Sequence, residues 1–145
     1  MKNLQMRARE RGFTLMEILI VVAIIALVAG YAASRIFDGG DKAKASLTKA
    51  KMGEIAGALD MYKLDVGRYP TTQDGLKALL TAPSGSTKWN GPYVKNEGNI
   101  KDAWGADFLF KAPGEQNRPF EMTSLGGDGK EGGDSPATRD IKSWD

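Results

Sequence analysis

The chain contains no cysteine and no histidine. Without cysteine there are no disulfides, so an exported domain of this size must be held by packing or by some other cross-link. The two absences together remove the usual zinc ligand sets and the Cys- and His-based nucleophile systems. A dominant charge is missing too. Twenty basic residues face 18 acidic ones, for a net charge of +2 over 145 residues. No Lys/Arg run is interleaved with aromatics as a nucleic-acid surface requires, so no nucleic-acid partner is expected.

Long apolar runs are scarce, with one exception, from Phe13 to Ala33. At ~1.5 Å per helical residue it reaches about 31 Å, against a bilayer core of about 30 Å. It carries one charge, Glu17, near its start. A carboxylate at mid-membrane costs roughly 2.5–3.5 kcal/mol on the insertion scale, and less near an end. Before the run stand Lys2, Arg7, Arg9 and Arg11 against Glu10. That basic bias places Met1 to Gly12 in the cytoplasm and everything after Ala33 outside. Three readings fit these residues: a secretory signal cut near Tyr31-Ala32-Ala33, an unprocessed single-span anchor, or a signal cut before the apolar run.

Beyond Ala33, the pattern from Ser34 to Val66 is helical. Met52, Ile55, Leu59, Tyr62 and Val66 form one apolar stripe at steps of three and four. Gly39-Gly40 interrupts it, as a loop or as a soft point in one long helix. Gly67 and Pro70 end the helix. Thr71 or Thr72 is expected to cap a short helix running to Leu80, with Asp74 in its first turn. Ala82 to Tyr93 reads as a loop anchored by Trp89. Two strands are expected, Asp107 to Ala112 and Pro119 to Ser124, with a hairpin turn over Pro113 to Arg118. The fold class is therefore α+β, a long helix packed on a small antiparallel sheet.

Arg11-Gly12-Phe13-Thr14-Leu15-Met16-Glu17 resembles the prepilin-type signal of type IV pilins and type II secretion pseudopilins. The resemblance implies that a membrane peptidase cuts between Gly12 and Phe13 and methylates the new Phe13 amine. Glycine suits such a bond, since without a Cβ the backbone can enter a protease closely. It also implies a partner for Glu17. In a bundle of such helices the carboxylate of one subunit meets the Phe13 amine of another, as intramembrane charges pair.

Met61-Tyr62-Lys63-Leu64-Asp65-Val66-Gly67-Arg68-Tyr69-Pro70-Thr71-Thr72-Gln73-Asp74-Gly75-Leu76 is similar to the signature of the major pseudopilins of type II secretion. So are Gly91-Pro92-Tyr93, Asp102-Ala103-Trp104-Gly105, Pro113-Gly114-Glu115 and Gly126-Gly127-Asp128-Gly129. Ser34 and Ala103 stand where many members have proline. The resemblance implies a cleaved leader over 1–12, a transmembrane and filament-core helix over 13–33, and a periplasmic domain over 34–145. The implied function is that of a non-enzymatic filament subunit, which polymerises after cleavage and helps drive folded proteins through the outer membrane. Its implied partners are further copies of itself, minor pseudopilins, the prepilin peptidase, the inner membrane and the platform of the secretion system. The closest alternative is a type IV major pilin for adhesion, motility or DNA uptake. Such pilins often close their C-terminal region with a disulfide, which this chain cannot form.

The segment Ser124 to Asp134 is rich in glycine and acid and poor in packing groups. On residues alone it is a solvated loop. Its spacing is not that of an EF-hand. Asp128 and Asp134 are paired carboxylates of the kind an acid–base enzyme uses, but no nucleophile motif accompanies them. The family resemblance implies one bound calcium instead, on the Leu125 carbonyl, Asp128 and Asp140, with Asp134 a further candidate. Trp144 is expected to pack the tail down. Calcium takes six to eight oxygen ligands at flexible geometry, which carbonyls and carboxylates of such a loop can supply.

Overall fold

A computed structural model describes residues 13–145; Gly12 and the rest of the leader lie outside the described residues. The chain divides into two compact units, one ending at Phe37 and one beginning at Asp38. Helix α1 is assigned from Leu15 to Val66. The assignment passes through Gly39 and Gly40, so the helical alternative holds there rather than the loop. Two interior glycines cost about 0.5–1 kcal/mol each relative to alanine. The helix formers that follow, Lys42-Ala43-Lys44-Ala45, favour continuation.

In the first unit, Leu15–Ala33 has a mean hydropathy of 2.5, and none of it is buried within the chain. Its large apolar side chains, Leu15, Ile18, Leu19, Ile24, Ile25 and Leu27 among them, are all exposed.

In the second unit, the expected stripe on α1 is the core. Met52, Ile55, Leu59 and Tyr62 are buried there with Ala58, and Val66 packs at the margin. Leu76, Ala78 and Leu79 cover the stripe from one side, and Ile100, Phe108 and Met122 complete the cluster. The short helix expected from Thr71 to Leu80 is reduced to a single 3-10 turn, Leu76–Leu79. Gly75 adopts φ +61°, a left-handed conformation that interrupts a right-handed helix at that point. Thr71 and Asp74 still cap one another. The Asp74 carboxylate accepts from the Thr71 amide at 3.1 Å, and the Thr71 hydroxyl accepts from the Asp74 amide at 3.1 Å. The reciprocal pair closes a turn instead of starting a helix. Trp89 anchors its loop as expected, donating from Nε1 to the Ala78 carbonyl at 2.8 Å.

Three antiparallel strands form one sheet in the order β1 (Leu109–Lys111), β2 (Glu121–Ser124), β3 (Ile141–Lys142). Phe110 pairs with Met122, and Ser124 with Ile141. The two expected strands are present but shorter. Pro113 and Pro119, which offer no amide hydrogen, bracket the hairpin. The turn between them carries Gln116 and Asn117 at positive φ. Strand β3 was not foreseen. Its two residues are fixed from beyond their own span, by Ser143 donating to the Met122 carbonyl at 2.9 Å and accepting from the Met122 amide at 3.1 Å.

Tyr62 shows how tightly this core closes. Its ring is fully buried and meets Tyr93 edge-on at 5.6 Å, yet its hydroxyl has no hydrogen-bond partner among the described residues. Burial raises the phenol pKa accordingly. An unsatisfied buried hydroxyl costs about 1–3 kcal/mol. Tyr62→Phe is therefore expected to stabilise the domain by about 1 kcal/mol, read from chemical denaturation. A destabilised variant would mean that the hydroxyl is bonded in solution.

Candidate functional site

Two regions carry the chemistry. The first is the start of α1. Thr14 is its N-cap: the hydroxyl accepts from the Glu17 amide at 3.2 Å, and the Thr14 carbonyl accepts from the same amide at 3.0 Å. Thr14-Leu15-Met16-Glu17 has the spacing of a capping box, a signal the sequence reading passed over. The cap, one residue after Phe13, sets the start of the helix at Leu15. Phe13 itself is 77% exposed, and Glu17 is exposed as well. Among the described residues the Glu17 carboxylate has no ion-pair partner.

The second region is the loop between β2 and β3. Asp140 is its most informative residue. One carboxylate oxygen accepts from the Gly132 amide at 3.0 Å, and the other is buried with no partner among the described residues. Asp140 and Leu125 line one cavity of about 460 Å³, which Glu131, Thr123 and Lys142 also line. The structure thus brings together two of the four residues named from sequence and adds Glu131. Asp128 and Asp134 are exposed and do not line that cavity. Asp128 accepts from the Lys130 amide at 3.2 Å, closing a local turn. No cluster of three or more ligating acids is present among the described residues.

The loop's backbone is tightly constrained where it leaves β2. A Cβ on Gly127 would come within 2.8 Å of the Trp104 indole nitrogen, and one on Gly126 within 2.8 Å of the Ala137 carbonyl oxygen. Both positions require glycine for close approach, and Gly126 also for its φ of +68°. The candidate ligands, the Leu125 carbonyl and the carboxylates of Glu131 and Asp140, all offer oxygen, as a hard cation such as calcium prefers, although Arg118 and Lys142 line the same cavity. A buried carboxylate oxygen without a partner is the kind of atom such a cation satisfies. On these grounds the donor chemistry fits calcium.

Trp144 packs the tail against Arg118, as expected, and Lys49 of α1 adds a second hold. Trp144 is 37% exposed; the Arg118 guanidinium stands 4.5 Å from its ring centroid and the Lys142 ammonium 5.7 Å. The second hold comes from the Lys49 side chain. Its ammonium donates to the Lys142 carbonyl at 2.9 Å and to the Asp145 carbonyl.

Comparison with known proteins covers both regions. Residues 35–144 match the family model for type II secretion system protein G, and residues 7–33 match the prokaryotic N-terminal methylation motif. The chain is 42% identical to the type II secretion system core protein G of Pseudomonas aeruginosa, over 96% of this chain and 98% of that protein. It is 39% identical to the core protein G of Vibrio cholerae, over 94% of this chain and 92% of that one. Its fold is similar to the crystal structure of the major pseudopilin from the type 2 secretion system of enterohaemorrhagic Escherichia coli. That match has a TM-score of 0.60 at 31% identity and covers 73% of this chain and 90% of the other. With a long apolar helix, a three-stranded sheet and these matches along nearly its whole length, the chain belongs to the type II secretion system protein G family.

Proposed function

We propose that this chain is the structural subunit of the type II secretion pseudopilus, a filament protein without catalysis of its own. The observation that carries the reading is the apolar segment Leu15–Ala33, none of which is buried within the chain. Apolar surface of that extent gains roughly 25 cal/mol per Å² when covered. A bilayer covers it before assembly, and neighbouring copies cover it afterwards. The folded unit from Asp38 onward carries the domain's own core and needs no partner to bury it.

In this reading the prepilin peptidase cuts between Gly12 and Phe13 and methylates the Phe13 amine. Thr14 then caps α1 right behind the new terminus. The subunit is a single-pass inner-membrane protein with its domain in the periplasm, and it moves from the membrane into the periplasmic filament. The Glu17 carboxylate of one subunit pairs with the Phe13 amine of another. The remaining partners are minor pseudopilins and the inner-membrane platform of the secretion system.

Calcium is part of the same proposal. The Leu125 carbonyl and Asp140 hold it, with Asp128 and Asp134 supplied by the glycine-rich segment between them. When bound, the ion neutralises the loop's acids and cross-links two strands' ends in a chain that has no disulfide. Support comes from the orphaned Asp140 oxygen and from the carboxylate of Glu131 in the same cavity.

The test combines microscopy with mass spectrometry. Cells expressing the chain with the secretion system should form periplasmic filaments whose subunit begins at N-methylated Phe13. Subunits beginning at Ser34, or keeping the leader in cells that contain the peptidase, would overturn the reading.

A further inference from the structure

Asp102 is a buried carboxylate, 2% exposed, in a turn that precedes β1. Burying a carboxylate is costly unless hydrogen bonds replace its water. Here they do. Oδ1 accepts from the Trp104 amide at 3.0 Å and the Ala106 amide at 2.8 Å. Oδ2 accepts from the Ser124 hydroxyl at 2.6 Å. Ser124, fully buried at the end of β2, accepts in turn from the Gly126 amide at 3.2 Å.

That last bond fixes more than Gly126. The Gly126 N–H and the Leu125 C=O belong to one peptide group. A peptide group is planar, and in the trans form its N–H and C=O point in opposite directions. The Leu125–Gly126 bond is trans, since the cis bonds of the described residues are at Gly91-Pro92 and Ala112-Pro113. Holding the N–H toward Ser124 therefore aims the Leu125 carbonyl away from the Asp102 side. The same turn makes a second contact on the loop, through the Trp104 indole over Gly127.

We infer that Asp102 is a positioning residue for the calcium loop, acting through the Ser124 hydroxyl to orient the Leu125 carbonyl. The inference rests on the calcium reading above and adds to it residues that touch no ion. Its logic is that of outer-shell support, in which a buried carboxylate polarises and locks the group behind a ligand. Removing such support typically weakens metal binding 10- to 100-fold.

Thr48 supplies the control. It is fully buried on α1, and its hydroxyl accepts from the Ala103 amide at 3.1 Å. It holds the same turn from α1, and none of its hydrogen bonds goes to the 124–127 segment. The experiment is a calorimetric titration of the full chain in detergent micelles with calcium chloride, together with thermal melts in chelator. Ser124→Ala should raise the calcium Kd about tenfold or more. Asp102→Asn keeps an acceptor for the Trp104 and Ala106 amides, and should raise Kd in the same direction. It carries the test if Ser124→Ala does not fold. Thr48→Ala should lower the melting temperature in chelator and leave Kd unchanged. A wild-type chain that takes up no calcium would overturn the calcium reading, and this inference with it. Calcium binding by the wild type with unchanged Kd in Ser124→Ala and Asp102→Asn would overturn the inference alone. An equal rise in Thr48→Ala would do the same, because it would mark a general loss of stability.

Discussion

Glu17→Ala should insert and be processed normally yet yield at least about tenfold fewer filaments. The two halves of that result have opposite physical origins. Removing a carboxylate makes the segment cheaper to insert, by up to roughly 2.5–3.5 kcal/mol if the group sits deep in the bilayer and less near its edge. Assembly loses instead. Truncating one partner of a desolvated charge pair costs about 2–5 kcal/mol, where 1.4 kcal/mol is already a factor of ten. Glu17 is exposed and has no ion-pair partner among the described residues, so its carboxylate is available to the Phe13 amine of another subunit. Its amide is satisfied by Thr14, and the substitution leaves that cap in place. Filament counts by electron microscopy, normalised to processed subunit in the membrane, decide the matter. Equal counts for the variant and the parent chain would remove the pairing.

Calcium should raise the melting temperature of the full chain in detergent by several degrees, and chelator should reverse the rise. A ligand that binds only the folded state stabilises by about 2.7 kcal/mol at 100 times its Kd. For a domain of about 100 residues each kcal/mol is worth roughly 4–8 °C. Asp140→Ala and Asp128→Ala should abolish the response, since each removes a charged ligand. Asp145→Ala should retain it, because its contact with Lys49 is made by the main-chain carbonyl. The comparison between Asp128 and Asp140 is the informative one. Asp140 already has a buried oxygen without a partner, whereas Asp128 is exposed and bonded to its own turn. If only Asp140→Ala abolishes the response, the second acid is another one, and Glu131, which lines the same cavity, is the first to test. Identical melts in calcium and chelator would return the segment to a solvated loop.

Much of the architecture was legible because it rests on periodicity. Met52, Ile55, Leu59 and Tyr62 announce a buried helical face by spacing alone, and they are buried. The hairpin was legible because Pro113 to Arg118 is made of turn residues. What escaped depends on contacts between distant parts of the chain. Strand β3 is two residues long and owes its register to Ser143 and Met122, so no local pattern could mark it. The truncation of the Thr71 helix hinged on one backbone angle at Gly75. The site was legible in the same uneven way. Asp140 and Leu125 were named through family resemblance, and they share a cavity. Glu131 was one acid among several in a glycine-rich run, with nothing to single it out. Asp102, Ser124 and Thr48 are polar residues of ordinary appearance, and only the fold reveals that they are buried together.

The placement of Trp104 has an optical consequence. Its indole lies against Gly127 at the entrance to the loop, while Trp89 is pinned to the Ala78 carbonyl on another part of the domain. An indole's emission shifts with the polarity and rigidity of what surrounds it. The protein therefore carries three indoles in distinct settings: Trp89 pinned at Ala78, Trp144 lining the cavity shared by Leu125 and Asp140, and Trp104 as an unlabelled reporter against the loop at Gly127. In a chain without cysteine, a Trp104→Phe comparison would isolate that signal with no dye attached, and loop ordering could be followed in real time as filaments grow.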